Sequence, residues 1–408
     1  MGLDADRLKA GGLEVIETEA QLQAALDRLA AGTGPVAVDA ERASGYRYSE
    51  RAYLVQLYRR GSGTLLIDPI ATGSLARLQE IIGDEEWIFH AATQDLPCLR
   101  ELDLDPSLIF DTELAARLLG YERVGLGAVI ERLLGISLEK AHSAADWSTR
   151  PLPETWLAYA ALDVELLIDV RDQLHQELID AEKLDAAREE FADILTRELG
   201  VKKPDPWRRI GGISRLRSPR ALAVARELWL SRDDAARTTD TAPGRLFPDR
   251  ALAAVATAMP RTRGELARLK EFTGRASRTQ LDRWWGAVER GLTTEELPPQ
   301  APRDPDRMPH HRQWEQRSPE ADRRLKLARE FLVAHAETLH MPVENLLTPE
   351  LLRRAAWVPR QPVSADAVAE HLRELGARAW QTSEVAQGIA SAFVEADQLT
   401  SGPDDEDS

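Results

Sequence analysis

The sequence predicts an α/β domain with a mixed sheet, followed by two all-α helical bundles. Apolar residues alternate between strand and helix periods up to about residue 199, whereas from residue 201 onward their spacing is almost entirely helical. Proline-rich segments at residues 200–206 and 297–309 cannot continue a helix, so we interpret them as linkers. The predicted units are residues 12–199, 207–295 and 310–400, with an acidic, disordered tail at residues 401–408.

The first unit opens with a helix, continues into three strands and then alternates helices with strands. Residues 36–41 follow a turn at residues 32–35, and we expect them to form an antiparallel meander with the next two apolar segments. Shorter apolar runs then alternate with helical spacing. The predicted helices are residues 22–31, 75–82, 94–102 and 112–119, and the predicted strands are residues 36–41, 52–58, 63–68, 87–90 and 109–111.

The composition is that of a globular protein and excludes several classes. Of the 408 residues, 43% are hydrophobic and 29% are charged, which excludes disordered and collagen-like chains. Cys98 is the only cysteine, so neither an intrachain disulfide nor a zinc ribbon can form. No apolar run approaches the ~18 residues that span a bilayer, and the first ten residues do not have the pattern of a leader. We therefore expect a cytoplasmic protein that does not enter a membrane.

The net charge of −16 is distributed unevenly along the chain. Residues 200–290 carry 20 Lys and Arg against 10 Asp and Glu, whereas residues 1–199 carry 19 against 37. This asymmetry is expected when one module binds a polyanion and another holds metal cations on carboxylates, although it proves neither by itself.

Two acids lie at the end of the first predicted strand. Asp39 and Glu41 are separated by one residue, so they project from the same face, with Cα atoms roughly 6.5 to 7 Å apart. Acids at strand ends are also common because turns are solvated. The pair therefore indicates a metal site only if further ligands accompany it.

Three further residues could complete a site with Asp39 and Glu41. Asp95 falls near the start of a predicted helix, where an acid also complements the helix dipole. Tyr159 and Asp163 stand four residues apart in an alanine-rich helix, which places a phenol and a carboxylate on one face. Four acids crowded together would repel one another and take up protons, and divalent metals relieve that repulsion. Two ions roughly 3.5 to 4 Å apart form a site suited to displacement at phosphorus.

These residues, in this order, resemble the DEDD superfamily of 3′-to-5′ exonucleases, and most closely the ribonuclease D family of its tyrosine branch. The first motif matches residues 36–41, the second residues 90–99 and the third residues 157–167. The stretch at residues 145–152, an Asp-Trp followed by Arg-Pro-Leu, is also similar to ribonuclease D. The resemblance implies a ribonuclease H-like exonuclease domain over the first unit.

The resemblance also implies a role for each acid and for the tyrosine. Asp39, Glu41 and Asp163 would coordinate two divalent cations, Mg²⁺ or Mn²⁺. Asp95 would hold one cation mainly through water, and Tyr159 would orient the attacking water. A ligand set made only of oxygen favours these ions over zinc.

Five residues near the first two motifs are candidates for contact with the substrate. They are Arg42, Ser44, Tyr46, His90 and Gln94. The loop that holds the first three would contact the last nucleotide by phosphate pairing and base stacking, and an ordinary solvated loop is an equal alternative. His90 is expected to lie in the core or behind the ligands. Ala91 departs from the wider superfamily, which often has a polar residue there, so substrate positioning is expected to differ.

The two helical units resemble HRDC modules to different degrees. The second unit is similar through Trp229, the turn at residues 243–249, the helix at 250–259 and the segment at 266–274. Its excess of basic residues suits contact with the phosphate backbone, with a solvated arginine-rich bundle as the alternative. The third unit resembles a second, diverged HRDC-like bundle, and because it is acidic we expect it to pack on the other domains.

The sequence thus predicts a metal-dependent 3′-to-5′ exoribonuclease that releases 5′-mononucleotides from RNA 3′ ends. Family resemblance favours tRNA precursors as the substrate, and we infer no obligate protein partner. Two alternatives stay open, namely the same chemistry on DNA and a non-catalytic RNA-binding scaffold that retains the fold. Recognition of the 2′-hydroxyl would separate RNA from DNA, and no residue in the sequence reports it.

Overall fold

The computed structural model describes residues 13–138, 144–201, 204–272, 274, 278–300 and 308–399. The predicted tail at residues 401–408 lies outside them. Buried apolar side chains of the described residues gather into separate cores along the chain, which are centred on a sheet in the first unit and on helices in the next two. Among these residues, no helix is both long enough and apolar enough to cross a membrane.

A mixed sheet of six strands lies at the centre of the first unit, as counted over the described residues. The strands are β1 (Val15–Ile16), β2 (Thr33–Arg42), β3 (Ala52–Arg60), β4 (Gly63–Ile67), β5 (Glu86–Phe89) and β6 (Leu108–Asp111). Their order is β1-β4-β3-β2-β5-β6. The meander of β2, β3 and β4 is antiparallel, as predicted, whereas β1 pairs with β4, and β5 with β2 and β6, in parallel.

Helices cover both faces of this sheet. They are α1 (Glu19–Ala31), α2 (Pro69–Thr72), α3 (Ala76–Ile82), α4 (Leu96–Arg100), α5 (Thr112–Leu118), α6 (Leu126–Leu134), α7 (Glu154–Glu165), α8 (Leu167–Asp180) and α9 (Leu184–Thr196). Thr18 begins α1 with a capping box, because its side chain accepts from the Gln21 N–H while Gln21 accepts from the Thr18 N–H. Helix α7 packs across β2, β3 and β4 and so closes one face of the meander.

Two predicted elements differ from the structure for local reasons. The predicted turn at residues 32–35 is instead the start of β2, which enters the sheet through a register shift beside Gly34, whose φ is +76°. The predicted helix at residues 94–102 is divided into a 3₁₀ turn, Ala92–Gln94, and α4. Pro97 has no backbone N–H to donate, and an α-helix tolerates this only in its first turn. The regular helix therefore begins at Leu96, with Pro97 in its first turn.

The two helical units share a long helix that is followed by a very short one. The second contains α10 (Pro219–Thr239), α11 (Pro243–Leu246), α12 (Asp249–Ala258), α13 (Arg263–Arg268) and α14 (Leu281–Thr293). The third contains α15 (Trp314–Arg317), α16 (Pro319–Thr338), α17 (Val343–Leu346), α18 (Pro349–Trp357), α19 (Ala365–Glu374) and α20 (Ala379–Gln398). Each has a long helix that begins with proline, followed by a helix of four residues, and no strand occurs in either unit within the described residues.

The third unit docks on α9 of the first unit. The Arg378 guanidinium donates two hydrogen bonds of 2.7 Å to the buried Glu190 carboxylate, and the Trp380 indole donates a third. The acidic third unit therefore packs on the first unit through a buried ion pair, in line with the expectation that it packs on its neighbours.

The second unit docks on the loop that follows β2. Asp240, at the end of α10, accepts hydrogen bonds from the backbone N–H groups of Tyr48 and Ser49. Arg245 donates to the Gly45 carbonyl at 2.6 Å and lies over the Tyr46 ring, 4.0 Å from its centroid. The basic unit thus contacts a loop that begins beside Asp39 and Glu41.

Candidate active site

A cavity of about 390 Å³ opens between β2, α7 and the segment before α4. The residues of the three motifs line it together. They are Asp39, Glu41, Asp95, Tyr159 and Asp163. The structure therefore brings together all five residues that the sequence predicts as catalytic or metal-binding.

Strand β2 and helix α7 supply the central carboxylates. Asp39 and Glu41 lie two residues apart on β2 and share the face that α7 covers. Asp163, in α7, is almost fully buried. One carboxylate oxygen from each of the three lies within 4.8 Å of the other two. Groups this close can share a hard divalent cation, for which carboxylate oxygens are the preferred ligands.

Asp95 lies beside this group of three rather than within it. It is 5% exposed and lines the same cavity, but only Asp39, Glu41 and Asp163 meet the mutual 4.8 Å spacing among the described residues. This placement is compatible with a contact in which a water molecule lies between Asp95 and a cation held by the other three acids.

Asp111 fixes the backbone that leads to Asp95. Its carboxylate accepts from the N–H groups of Ala91 and Ala92, and also from those of Glu113 and Leu114 at the start of α5. Ala91 has φ +69°, a left-handed conformation that is unfavourable for a residue with a Cβ. Asp111 therefore holds both a helix N-terminus and a strained loop at the cavity.

Burial raises the pKa of every acid in the cluster, and repulsion by neighbouring acids adds to the effect at Glu41, Asp95 and Asp163. Burial is the largest cause for Asp39, Asp95 and Asp163. Burial, followed by the charges of Asp39, Asp163 and Asp95, raises the pKa of Glu41 to about 10. Arg42 opposes these shifts at Asp39, Glu41 and Asp95, but does not cancel them. Without a cation Glu41 therefore holds a proton at neutral pH, and a divalent ion would displace it.

Tyr159 lies one helical turn before Asp163. Burial is the main cause that raises the pKa of its hydroxyl, and a hydrogen bond to Asp163 adds to the effect. The phenol therefore stays protonated and serves as a neutral hydrogen-bonding group at the cavity wall.

Four of the five substrate candidates line the cavity, namely Arg42, Ser44, His90 and Gln94. Burial lowers the pKa of His90 to about 4, so its ring is neutral at pH 7. The His90 Nδ1 lies 2.9 Å from the Thr112 hydroxyl, and this contact fixes the orientation of the ring. Tyr46 does not belong to the lining. Its ring lies under Arg245 of the second unit, and its hydroxyl donates to the Ala144 carbonyl at 3.4 Å.

The stretch at residues 145–152, which contains the Asp-Trp and Arg-Pro-Leu sequences, connects α7 to the sheet. Trp147 is fully buried and lies 5.3 Å from Trp156, centroid to centroid. Arg150 donates to the Asp68 carboxylate at 2.6 Å and to the Tyr53 carbonyl at 2.8 Å. This stretch thus ties the chain that leads into α7 to β3 and to the end of β4.

Sequence reasoning missed several residues that shape this region. Asp111 follows a strand and precedes a helix, a position typical of an N-cap, so its sequence carried a usable signal. The contacts of Asp240 and Arg245 with the loop after β2 join segments roughly 200 residues apart, and no local pattern predicts them.

Family models match all three units of the chain. A model described as 3′-5′ exonuclease matches residues 13–179, the HRDC domain model matches residues 221–288, and a model described as 3′ to 5′ exonuclease C-terminal domain matches residues 307–393. The third unit thus matches a family model different from that of the HRDC domain. With the ribonuclease H-like sheet and the acidic cavity, these matches define a 3′-to-5′ exonuclease with helical C-terminal domains.

Curated relatives specify the family. A ribonuclease D from Jannaschia sp. (strain CCS1) is 32% identical over 272 residues, which cover 64% of this chain and 68% of that protein. A ribonuclease D from Nitrobacter hamburgensis is 31% identical over 299 residues, which cover 70% and 76%. The chain belongs to the ribonuclease D family, and it is a 3′-to-5′ exoribonuclease, a hydrolase of phosphodiester bonds.

Solved structures agree with this assignment over most of the chain. A protein from Bifidobacterium adolescentis has a TM-score of 0.85 at 36% identity and covers 93% of this chain and 97% of its own. Escherichia coli RNase D, described as an exoribonuclease involved in structured RNA processing, has a TM-score of 0.66 at 27% identity and covers 88% and 98%. The HRDC match and the likeness to RNase D together indicate that the chain binds nucleic acid.

Proposed function

We propose that this exoribonuclease uses two divalent cations, Mg²⁺ or Mn²⁺, to release 5′-mononucleotides from RNA 3′ ends, and that its substrates are structured RNAs such as tRNA precursors. The observation that carries the proposal is the convergence of Asp39, Glu41 and Asp163 within 4.8 Å in one cavity. When bound, such ions would supply Lewis-acid stabilisation and a water of lowered pKa.

The chain's own residues would have distinct tasks in this proposal. Asp39, Glu41 and Asp163 would hold the ions, and Asp95 would contribute through water. The protonated Tyr159 hydroxyl would accept or donate a hydrogen bond that aligns the attacking water with the scissile phosphate. Arg42, Ser44, His90 and Gln94 would contact the terminal nucleotide, because they line the same cavity.

The basic second unit would contact the phosphate backbone of the RNA beyond the cavity. Its excess of Lys and Arg supplies an attraction that does not depend on sequence and weakens with salt. Because this unit also contacts the loop after β2, RNA bound to it would lie near the cavity that receives the 3′ end.

The test is removal of one carboxylate charge at a time. Asp39→Asn and Asp163→Asn should each abolish mononucleotide release while RNA affinity changes little, because the ligands are lost but the basic unit is unchanged. Asp27→Asn, at an exposed position on α1, is the matched control and should behave as wild type. Full activity in both cavity variants would contradict the proposal.

The substrate class needs its own comparison. RNA and DNA oligonucleotides of the same sequence, each with a free or a blocked 3′ end, should be degraded only as RNA with a free 3′-hydroxyl. Equal release from DNA would move the assignment to a general 3′-to-5′ exonuclease. Binding of RNA without release in any arm would favour the scaffold alternative.

A further inference from the structure

Gln56 is a fully buried amide with no hydrogen-bond partner among the described residues. Its exposed fraction is 0%, and both its Oε1 and its Nε2 are without partners there. Buried side-chain amides are normally hydrogen-bonded, because an unsatisfied polar group has lost its water and gained nothing in return. An amide left in this state beside a functional cavity calls for a partner that a different state of the site would supply.

The sheet register places Gln56 next to the acid cluster. Gln56 on β3 lies directly opposite Asp39 on β2. Residues directly opposite in an antiparallel pair point to the same face, with Cβ atoms about 4.5 to 5.5 Å apart. Gln56 therefore shares with Asp39 and Glu41 the face that α7 covers, and its side chain, which is one carbon longer than that of Asp39, gives the amide enough reach to contact the Asp39 carboxylate.

Asp39 has acceptor capacity that a cation does not exhaust. An ionised carboxylate offers about four lone-pair sites on two oxygens, and a cation held by one oxygen leaves the other open. Carboxylates that hold metals are themselves usually held by a second set of hydrogen-bond donors, which fix their orientation. The Gln56 amide is a neutral donor buried on the correct face for this purpose.

We infer that Gln56 is a positioning residue of the metal site: its NH₂ group donates to the Asp39 carboxylate when that carboxylate holds a divalent cation. The inference rests on the proposed function in that it requires Asp39 to bind the cation. Gln56 does not touch the substrate or the cation, and it acts by fixing the orientation of the Asp39 side chain.

Gln381 provides a matched comparison elsewhere in the chain. It is also 0% exposed, but its Nε2 donates to the Asn345 carbonyl at 2.9 Å and its Oε1 accepts from the Arg378 N–H at 3.1 Å. Gln381 is thus a satisfied structural amide in the third unit. Replacement by methionine, which is similar in size and apolar, should lower stability at Gln381 but not at Gln56.

The experiment compares Gln56→Met, Gln381→Met and wild type as full-length chains. After removal of metal by a chelator, Gln56→Met should melt at the same temperature as wild type or higher, because an unsatisfied amide is gone. Its affinity for Mn²⁺, measured by electron paramagnetic resonance of the free ion, should fall at least tenfold. Gln381→Met should melt at a lower temperature and bind Mn²⁺ as wild type does.

Each outcome decides the inference. Unchanged Mn²⁺ affinity in Gln56→Met, or a lower melting temperature with unchanged affinity, would make Gln56 a packing residue. Should Gln56→Met fail to fold, Gln56→Asn replaces it, because asparagine keeps the amide but shortens its reach. The affinity of Gln56→Asn for Mn²⁺ should also fall at least tenfold. In excess Mn²⁺, nucleotide release by either Gln56 variant should recover with no change in the KM for RNA. A wild-type chain that binds Mn²⁺ but releases no nucleotide would overturn the proposed function, while the affinity ratio still tests Gln56.

Discussion

Replacement of Glu41 by glutamine should stabilise the metal-free protein. The pKa of Glu41 is raised from 4.5 to about 10, chiefly by burial and then by Asp39, Asp163 and Asp95. Between these two values the unfolded chain releases a proton that the folded chain retains, so the free energy of unfolding falls as pH rises. From pH 4.5 to pH 7, at about 1.4 kcal/mol per pH unit, the loss is up to about 3 kcal/mol. Glutamine at position 41 has no proton to lose, so this loss disappears.

The assay is thermal unfolding in a chelator at several values between pH 5 and pH 8. The melting temperature of Glu41→Gln should exceed that of wild type by a margin that grows with pH and vanishes near pH 4.5. Glu131→Gln, at an exposed position on α6, controls for the loss of one acid and should follow wild type. Addition of Mn²⁺ should reverse the order, because the cation stabilises the state that binds it. Equal pH slopes for wild type and Glu41→Gln in chelator would refute the reasoning.

Two further changes test the structural support of the site. Ala91→Gly should raise the free energy of unfolding by about 1 kcal/mol in urea denaturation, because glycine adopts the left-handed conformation at φ +69° without the Cβ contact; a loss would mean that the Ala91 side chain is needed there. Arg378→Ala should lower it by about 3 to 5 kcal/mol, because Glu190 would be left as a buried charge without its ion-pair partner. Urea denaturation measures this change too, and Arg373→Ala, at an exposed position on α19, serves as the control that should leave the transition unchanged.

The periodicity of the sequence was enough to predict the parts of the site that lie within one element. The alternation of β2 places Asp39 and Glu41 on one face, and helical spacing places Tyr159 and Asp163 on another. Their convergence depends on how α7 packs across the meander, which only the family resemblance implied. Metal-ligand roles for these residues remain predictions that the proposed substitutions test.

Other features depend on contacts that no local pattern encodes. The placement of Tyr46 under Arg245 requires two domains to meet, so the loop after β2 could not be assigned a role from its composition. Gln56 is a polar residue within the apolar run of residues 52–58, which signals that it matters, but its position opposite Asp39 depends on the strand register. Pro97 explains in hindsight why the helix near Asp95 begins later than its apolar spacing suggests.

The double task of Asp111 has a consequence for how mutations in this region are interpreted. Its one carboxylate accepts hydrogen bonds from four backbone N–H groups, and it thereby caps the N-terminus of α5 and holds the loop that leads to Asp95. Any exchange at this position therefore damages folding and cavity shape together. A screen that scores only enzymatic output would rank it among the reacting groups, although it lies outside the cavity lining and contributes only through the main chain that it anchors.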